Sequence, residues 1–233
     1  MASQTALSKT FAGDGVYTVA RALLWPAVKI AFRQSCIGAD NVPRHGAVLL
    51  VANHQSYLDP VLLGTLLPRV LDFVARDSLF TNPAFGWLIR ELNALPIKRG
   101  QGDISAIKES LRRLKAGRAV LFFPEGTRSR DGRVARLQGG VISLARRAGV
   151  PIVPCAIEGA FEIWPRTSKI PRPAKVWVEY GRPIPPSTWD GLADEAAATT
   201  LTQILRDLHN HLRGRAGRLR FNYTDGDSQE QAE

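Results

Sequence analysis

The chain has 233 residues, 45% of them hydrophobic, which is enough for one large domain with a buried core. Lys and Arg outnumber Asp and Glu by 31 to 21, giving a formal charge of +10 and a pI near 10.2, so phosphate- or carboxylate-bearing partners are favoured. Two cysteines, Cys36 and Cys155, have no metal-ligand spacing around either, so neither a disulfide framework nor a structural zinc site is expected.

The N-terminus lacks the basic start, unbroken apolar run and small-residue cleavage site of a secretory signal, so none is expected. From Val16 to Phe32 the chain is apolar and aromatic but is interrupted by Arg21, Pro26 and Lys29. A spanning helix needs about 20 predominantly apolar residues. Two readings stay open for this segment: a helix lying in the headgroup region of a membrane, or a helix packed on the domain's own core. Short apolar runs then alternate with helical patterns in the manner of an α/β domain. Strands are predicted at 47–52, 71–75, 119–123, 151–157 and 175–180, with a short one at 95–97. Helices are predicted at 60–67, 83–92, 138–148 and 192–212. Asp103 is expected to cap a helix carrying Ile104, Ile107, Leu111 and Leu114 on one face, closed by Gly117. The fold class expected is a single α/β domain, a mixed but mostly parallel sheet flanked by helices. Its boundaries would be an N-terminal interfacial helix over 1–34, the domain proper over 35–215 and a polar, disordered tail over 216–233.

In open α/β sheets the active crevice lies beyond the carboxyl ends of the strands, so the loops after Ala52 and Phe123 are the places to search. The first reads Asn-His-Gln-Ser-Tyr-Leu-Asp-Pro, with four residues between His54 and Asp59. Asp59 there can hold one ring nitrogen of His54 protonated, leaving the other as a base for an attacking hydroxyl. The same Asp59-Pro60 pair also reads as a plain helix start. The second loop reads Glu125-Gly126-Thr127-Arg128-Ser129-Arg130. Gly126 permits unusual torsions and close approach of a ligand, and the hydroxyls and guanidinium groups after it suit phosphate recognition. A turn of solvated ion pairs is the alternative.

Taken together, these blocks resemble the 1-acyl-sn-glycerol-3-phosphate (lysophosphatidic acid) acyltransferase family. Asn53 to Asp59 is similar to the family's His-x-x-x-x-Asp block, and Leu95-Pro96-Ile97-Lys98-Arg99 to its second block, which ends in a phosphate-binding arginine. Phe123-Pro124-Glu125-Gly126-Thr127-Arg128-Ser129 is similar to the third block, and Val150-Pro151-Ile152-Val153-Pro154 to the fourth. The resemblance covers about residues 35 to 185 and rests on the order of four blocks. It implies His54 as general base with Asp59 orienting it. Arg99, Glu125, Gly126 and Arg128 would bind the acceptor headgroup, with Thr127 a further phosphate contact. The reaction implied moves a fatty acyl chain from acyl-coenzyme A or acyl carrier protein, as co-substrate, to the free hydroxyl of 1-acylglycerol-3-phosphate, giving phosphatidic acid. It needs no cofactor and no metal. The partners expected are a lysolipid acceptor, an acyl thioester donor and a membrane surface, not nucleic acid. The location expected is the cytoplasmic face of a membrane, as a peripheral or monotopic protein.

One departure bears on substrate. Many family members carry lysine before the helix that follows the third block, where this chain reads Arg136-Leu137-Gln138-Gly139-Gly140. A different lysolipid, such as a lyso-aminolipid or glycolipid, is therefore an alternative acceptor. From another class, a basic protein that binds anionic membrane or nucleic acid fits the pI, although the bases form no continuous stripe with interleaved aromatics.

Overall fold

The computed structural model describes residues 13–97, 104–168 and 170–223. In chain order its elements are α1 (Asp14–Ala31), β1 (Ser35–Ile37), β2 (Val48–Ala52), α2 (Asp59–Gly64), β3 (Leu71–Arg76), α3 (Pro83–Glu91), β4 (Ala94–Ile97), α4 (Ile104–Lys115), β5 (Ala119–Phe122), α5 (Gly140–Ala148), β6 (Ile152–Glu158), α6 (Ala160–Ile163), β7 (Trp177–Tyr180) and α7 (Asp194–Arg215). The seven strands form one sheet in the order β1-β7-β6-β2-β5-β3-β4. All neighbours are parallel except β6 and β7, so β1 and β7 run against the other five. The six predicted strands are present, and β1 and α6 are additions. Asp103, the expected cap of α4, lies outside the described residues.

β2 is buried throughout because it sits in the middle of the sheet with both faces covered. Its alternate residues feed two cores. Val48, Leu50 and Ala52 pack with Leu62 and Leu63 of α2 and with Tyr17 and Val28 of α1. Leu49 and Val51 pack with Ile142 and Leu144 of α5 and Leu201 and Leu205 of α7. The result is a three-layer α/β/α arrangement.

One side of α1 packs on the domain's own core, as the second of the two readings expects. Tyr17 and Val28 are buried on the sheet, and Arg21 donates to the Leu67 carbonyl at 2.8 Å. The opposite side exposes Val19, Leu23 and Ile30, with Leu23 at 70% and Ile30 at 77%. Pro26 lies within the helix without ending it. Among the described residues no helix is long and apolar enough to cross a membrane.

The eight residues that follow α7 differ from the expected free tail. Residues 216–223 pack back on α7: Asn210 and Phe221 exchange side-chain and backbone hydrogen bonds, and the Tyr223 hydroxyl accepts from the Val134 N–H at 3.1 Å and lies 3.0 Å from His209 Nδ1. His209 is fully buried, with Nε2 2.7 Å from Glu158, which Arg213 and Arg218 also engage. Aromatic anchors, hidden in a run that reads as polar, hold this segment.

At the amino ends of the strands a buried ion cluster ties three elements together. Arg118 donates to Asp72 at 2.9 and 2.6 Å and to Asp14 at 2.7 Å, and Arg113 reaches Asp72 at 3.0 Å. Removing one partner from such a cluster leaves a charge buried without compensation. Asp72→Ala is therefore expected to cost about 3–5 kcal/mol, whereas Glu109→Ala on the outer side of α4 should cost less than about 1 kcal/mol. Urea denaturation of the two variants would check the difference, and equal midpoints would contradict it.

Candidate active site

β2 and β5 are parallel neighbours in the register Val51 opposite Phe122, so the loops that follow them emerge side by side. Backbone and side-chain bonds then weld the two loops. Ser129 N–H donates to the His54 carbonyl at 2.7 Å, and the His54 N–H donates to Glu125 Oε1 at 3.1 Å. The His54 ring stacks on Phe123 with centroids 4.3 Å apart. Asn53, fully buried, exchanges two hydrogen bonds with the backbone of Ile157 and so extends the β2–β6 pairing beyond the strand end.

His54 Nδ1 lies 2.7 Å from Asp59 Oδ2. That oxygen also accepts from the N–H groups of Gln55 and Ser56 at 2.7 and 2.8 Å. A carboxylate oxygen only accepts, so in the neutral ring Nδ1 carries the proton and Nε2 keeps its lone pair. Asp59 is wholly buried while His54 keeps 20% of its side chain open, which is the arrangement of a fixed brace and an accessible base. Asp59 stands in the first turn of α2, followed by Pro60, but the N-cap position is Leu58 and no side chain caps the helix, so the carboxylate serves the histidine loop and not the helix start.

The second loop supplies the anion-binding character. Gly126 adopts φ +69, and a Cβ there would approach Gln138 Nε2 to 3.0 Å, so the position combines a left-handed backbone with a tight neighbour. Arg128 lies over the Tyr57 ring at 3.4 Å from its centroid, and its buried Nη1 has no hydrogen-bond partner among the described residues. Glu125 is buried. One oxygen receives the His54 N–H and Oε2 has no partner among the described residues. Thr127 accepts from Arg166 at 3.3 Å. Arg99 lies outside the described residues. Among the described residues no three His, Cys, Asp or Glu side chains converge as metal ligands would.

Two contributors were not legible beforehand. Gln55 accepts from Phe161 N–H at 3.2 Å and donates to the Gly132 carbonyl at 2.8 Å, locking the histidine loop from behind. Phe123 braces the imidazole. Both roles arise from residues distant in sequence, and only the polar run around His54 hinted at the first.

Burial pushes the Glu125 carboxyl well above its ordinary value of 4.5, against the lowering effect of the His54 N–H. The folded protein therefore holds this proton more tightly than the unfolded chain does. The associated stability is complete below about pH 4.5 and is lost as pH climbs toward the raised value. Glu125→Gln, which keeps the shape without the charge, should melt above the parent protein at pH 7.5, and the gap should close near pH 4. Paired melting curves across this range test it, and a gap independent of pH would contradict it.

Comparisons with known proteins point to one family. An Acyltransferase family model matches residues 33–158. A 1-acyl-sn-glycerol-3-phosphate acyltransferase of Streptococcus pneumoniae is 32% identical over 204 residues, covering 84% of this chain and 73% of that protein. A lyso-ornithine lipid O-acyltransferase of Pseudomonas aeruginosa is 39% identical over 111 residues, covering 47% of this chain and 42% of that protein. The crystal structure of the 1-acyl-sn-glycerophosphate acyltransferase PlsC from Thermotoga maritima superimposes with a TM-score of 0.69 at 25% identity, covering 85% of this chain and 83% of that one. The chain spans about half the length of the plant chloroplast relatives that it also matches. With the family model covering more than half of its length and both loops in their expected places, this chain belongs to the acyltransferase family that includes the 1-acyl-sn-glycerol-3-phosphate acyltransferases.

Proposed function

We propose that the protein transfers a fatty acyl group from an acyl thioester, of coenzyme A or of acyl carrier protein, to the free hydroxyl of 1-acylglycerol-3-phosphate, forming phosphatidic acid at the cytoplasmic face of a membrane. The observation that carries the reading is the 2.7 Å contact between His54 Nδ1 and Asp59, in a loop bonded directly to the one bearing Glu125 and Arg128. His54 Nε2 takes the proton of the acceptor hydroxyl while its oxygen attacks the thioester carbonyl. The tetrahedral species collapses, the C–S bond breaks, and the imidazolium returns the proton to the departing thiolate. No acyl-enzyme is formed. Asp59 stabilises the transient imidazolium and fixes its orientation. Arg128 faces the phosphate of the acceptor. Glu125 Oε2 accepts a hydrogen bond from the substrate, and the left-handed turn at Gly126 lets the headgroup reach the main chain. By resemblance, Arg99 adds a further guanidinium.

A lysolipid with an amino-acid headgroup is the second reading, favoured by one feature of the chain. The lysines that many family members carry before α5 are absent from the stretch 136–140, the amide of Gln138 stands beside Gly126 and Arg136 is exposed. A neutral amide at that place accommodates a larger headgroup. Product masses from lysophosphatidic acid and a lyso-aminolipid, offered with acyl-coenzyme A and with acyl carrier protein, decide between the acceptors and the donors.

The apolar outer side of α1, flanked by Lys29 and Arg33, suits an interfacial helix, with its bases toward anionic headgroups. Two outcomes follow. His54→Ala should lower the rate of thioester consumption with lysophosphatidic acid by about 10² to 10⁴, and retained turnover would remove His54 from the chemistry. Leu23→Glu combined with Ile30→Glu should weaken flotation with anionic liposomes while leaving the melting temperature within a degree or so. Both side chains are exposed, so undiminished liposome binding would refute the interfacial role.

A further inference from the structure

The segment after β6 contributes a basic residue that belongs to none of the four sequence blocks and lies beyond the residues matched by the family model. Arg166 Nη1 donates to Thr127 Oγ1 at 3.3 Å, which brings its guanidinium to the loop that carries Arg128. The placement is held by an aromatic chain. Arg128 lies on Tyr57, the Tyr57 ring meets Trp164 edge-on at 5.4 Å, and Trp164 Nε1 donates to the Ser168 carbonyl at 3.1 Å. Arg172 N–H closes the segment onto the Ile163 carbonyl at 2.8 Å. Two positive groups thus stand at one loop, Arg166 on the Thr127 hydroxyl and Arg128 on the Tyr57 ring, without a carboxylate between them in these contacts. Burial lowers the pKa of the Arg128 guanidinium, and the charge of Arg166 acts in the same direction. Like charges kept together, with a buried Nη1 left without a partner, form one half of an anion site.

We propose that Arg166 is a specificity-determining residue that, with Thr127 and Arg128, binds the phosphate monoester of the lysolipid acceptor. Arg128 approaches from the Tyr57 side and Arg166 from the α6 side, so a phosphate between them receives guanidinium donors from two directions and the Thr127 hydroxyl from a third. A dianionic headgroup gains more from this pair than a zwitterionic one does. This inference rests on the acyltransfer reading for its substrate, whereas the anion site itself does not.

The test uses the full chain with Arg166→Ala and Arg166→Lys. Arg166→Ala should raise the KM for lysophosphatidic acid by about 10-fold to 100-fold, the range for a lost charge-assisted bond, and should affect kcat less; Arg166→Lys should recover part of the loss. The KM for acyl-coenzyme A should hold. An effect confined to the KM for acyl-coenzyme A, and absent with an acyl thioester lacking the nucleotide, would assign Arg166 to the donor and overturn the proposal. An unchanged KM for lysophosphatidic acid would overturn it as well. A second readout needs no turnover: glycerol 3-phosphate should raise the melting temperature of the parent protein and do so much less for Arg166→Ala. If the parent protein acylates no lysophosphatidic acid, the acyltransfer reading fails by itself, and the anion site is judged by this shift, an equal shift in both proteins ending it.

Discussion

The parallel pairing of β2 with β5 is the constraint on which the site depends. A shift of one residue in that ladder would turn Leu49 and Val51 toward the layer that receives Leu50 and Ala52, and both cores would lose their fit. Because β2 is buried on each face, packing opposes such a slip from two sides at once. The register then dictates that Phe123 lies beside the end of β2, where its ring receives the imidazole of His54. Apolar burial in the middle of the sheet is thus what sets the position of a polar group at its edge.

Charge is divided between the two ends of the strands according to what each end does. At the amino ends, Arg113 and Arg118 are consumed by Asp72 and Asp14, and the cluster fastens α1 to the sheet. Near the carboxyl end of β6, Arg213 and Arg218 close on Glu158 and secure the segment that follows α7. These pairs absorb part of a basic excess that composition alone would assign to an external polyanion. The guanidinium groups turned toward Thr127 and Tyr57 are of another kind: their neighbours are a hydroxyl and aromatic rings. It is the distribution of the positive charge, more than its total, that separates an enzyme handling an anionic substrate from a general polyanion binder.

The sheet was legible in the chain wherever a strand is buried on both faces, because runs such as Val48 to Ala52 and Ile152 to Ile157 are continuously apolar. β1 was not. Ser35 to Ile37 is only three residues long and half-buried, and it becomes a strand through pairing with Trp177 to Glu179, some 140 positions away. The site divides in the same way. His54 and Asp59 lie close in sequence, so their spacing showed that they could meet. The bonds from His54 to Glu125 and Ser129 span about seventy residues, and only the strand order turns two loops into one cleft. Tyr223 reads as part of a polar tail because its hydroxyl finds Val134 and His209 only after the chain has folded back. Arg166 gave no signal, since nothing in an exposed arginine between Pro165 and Thr167 announces a tyrosine-borne guanidinium next to it.

The cleft also leaves polar atoms in a state that folding alone would disfavour. Asp59 Oδ1, Glu125 Oε2 and Arg128 Nη1 are buried and lack hydrogen-bond partners among the described residues, and all three come from the two loops of the site. A buried acceptor or donor left unmade costs about 1–3 kcal/mol, and a carboxyl pushed toward its neutral form adds to the strain of the Glu125 loop. Sequences free to optimise stability would replace such groups. Their clustering in one place is intelligible if an incoming ligand supplies what the protein withholds: a donor to Glu125, and anionic oxygens to accept from Arg128. The groups are already desolvated and already aimed, so binding does not have to reorganise them, and the cost borne in the empty protein becomes selectivity for a ligand that satisfies both atoms together.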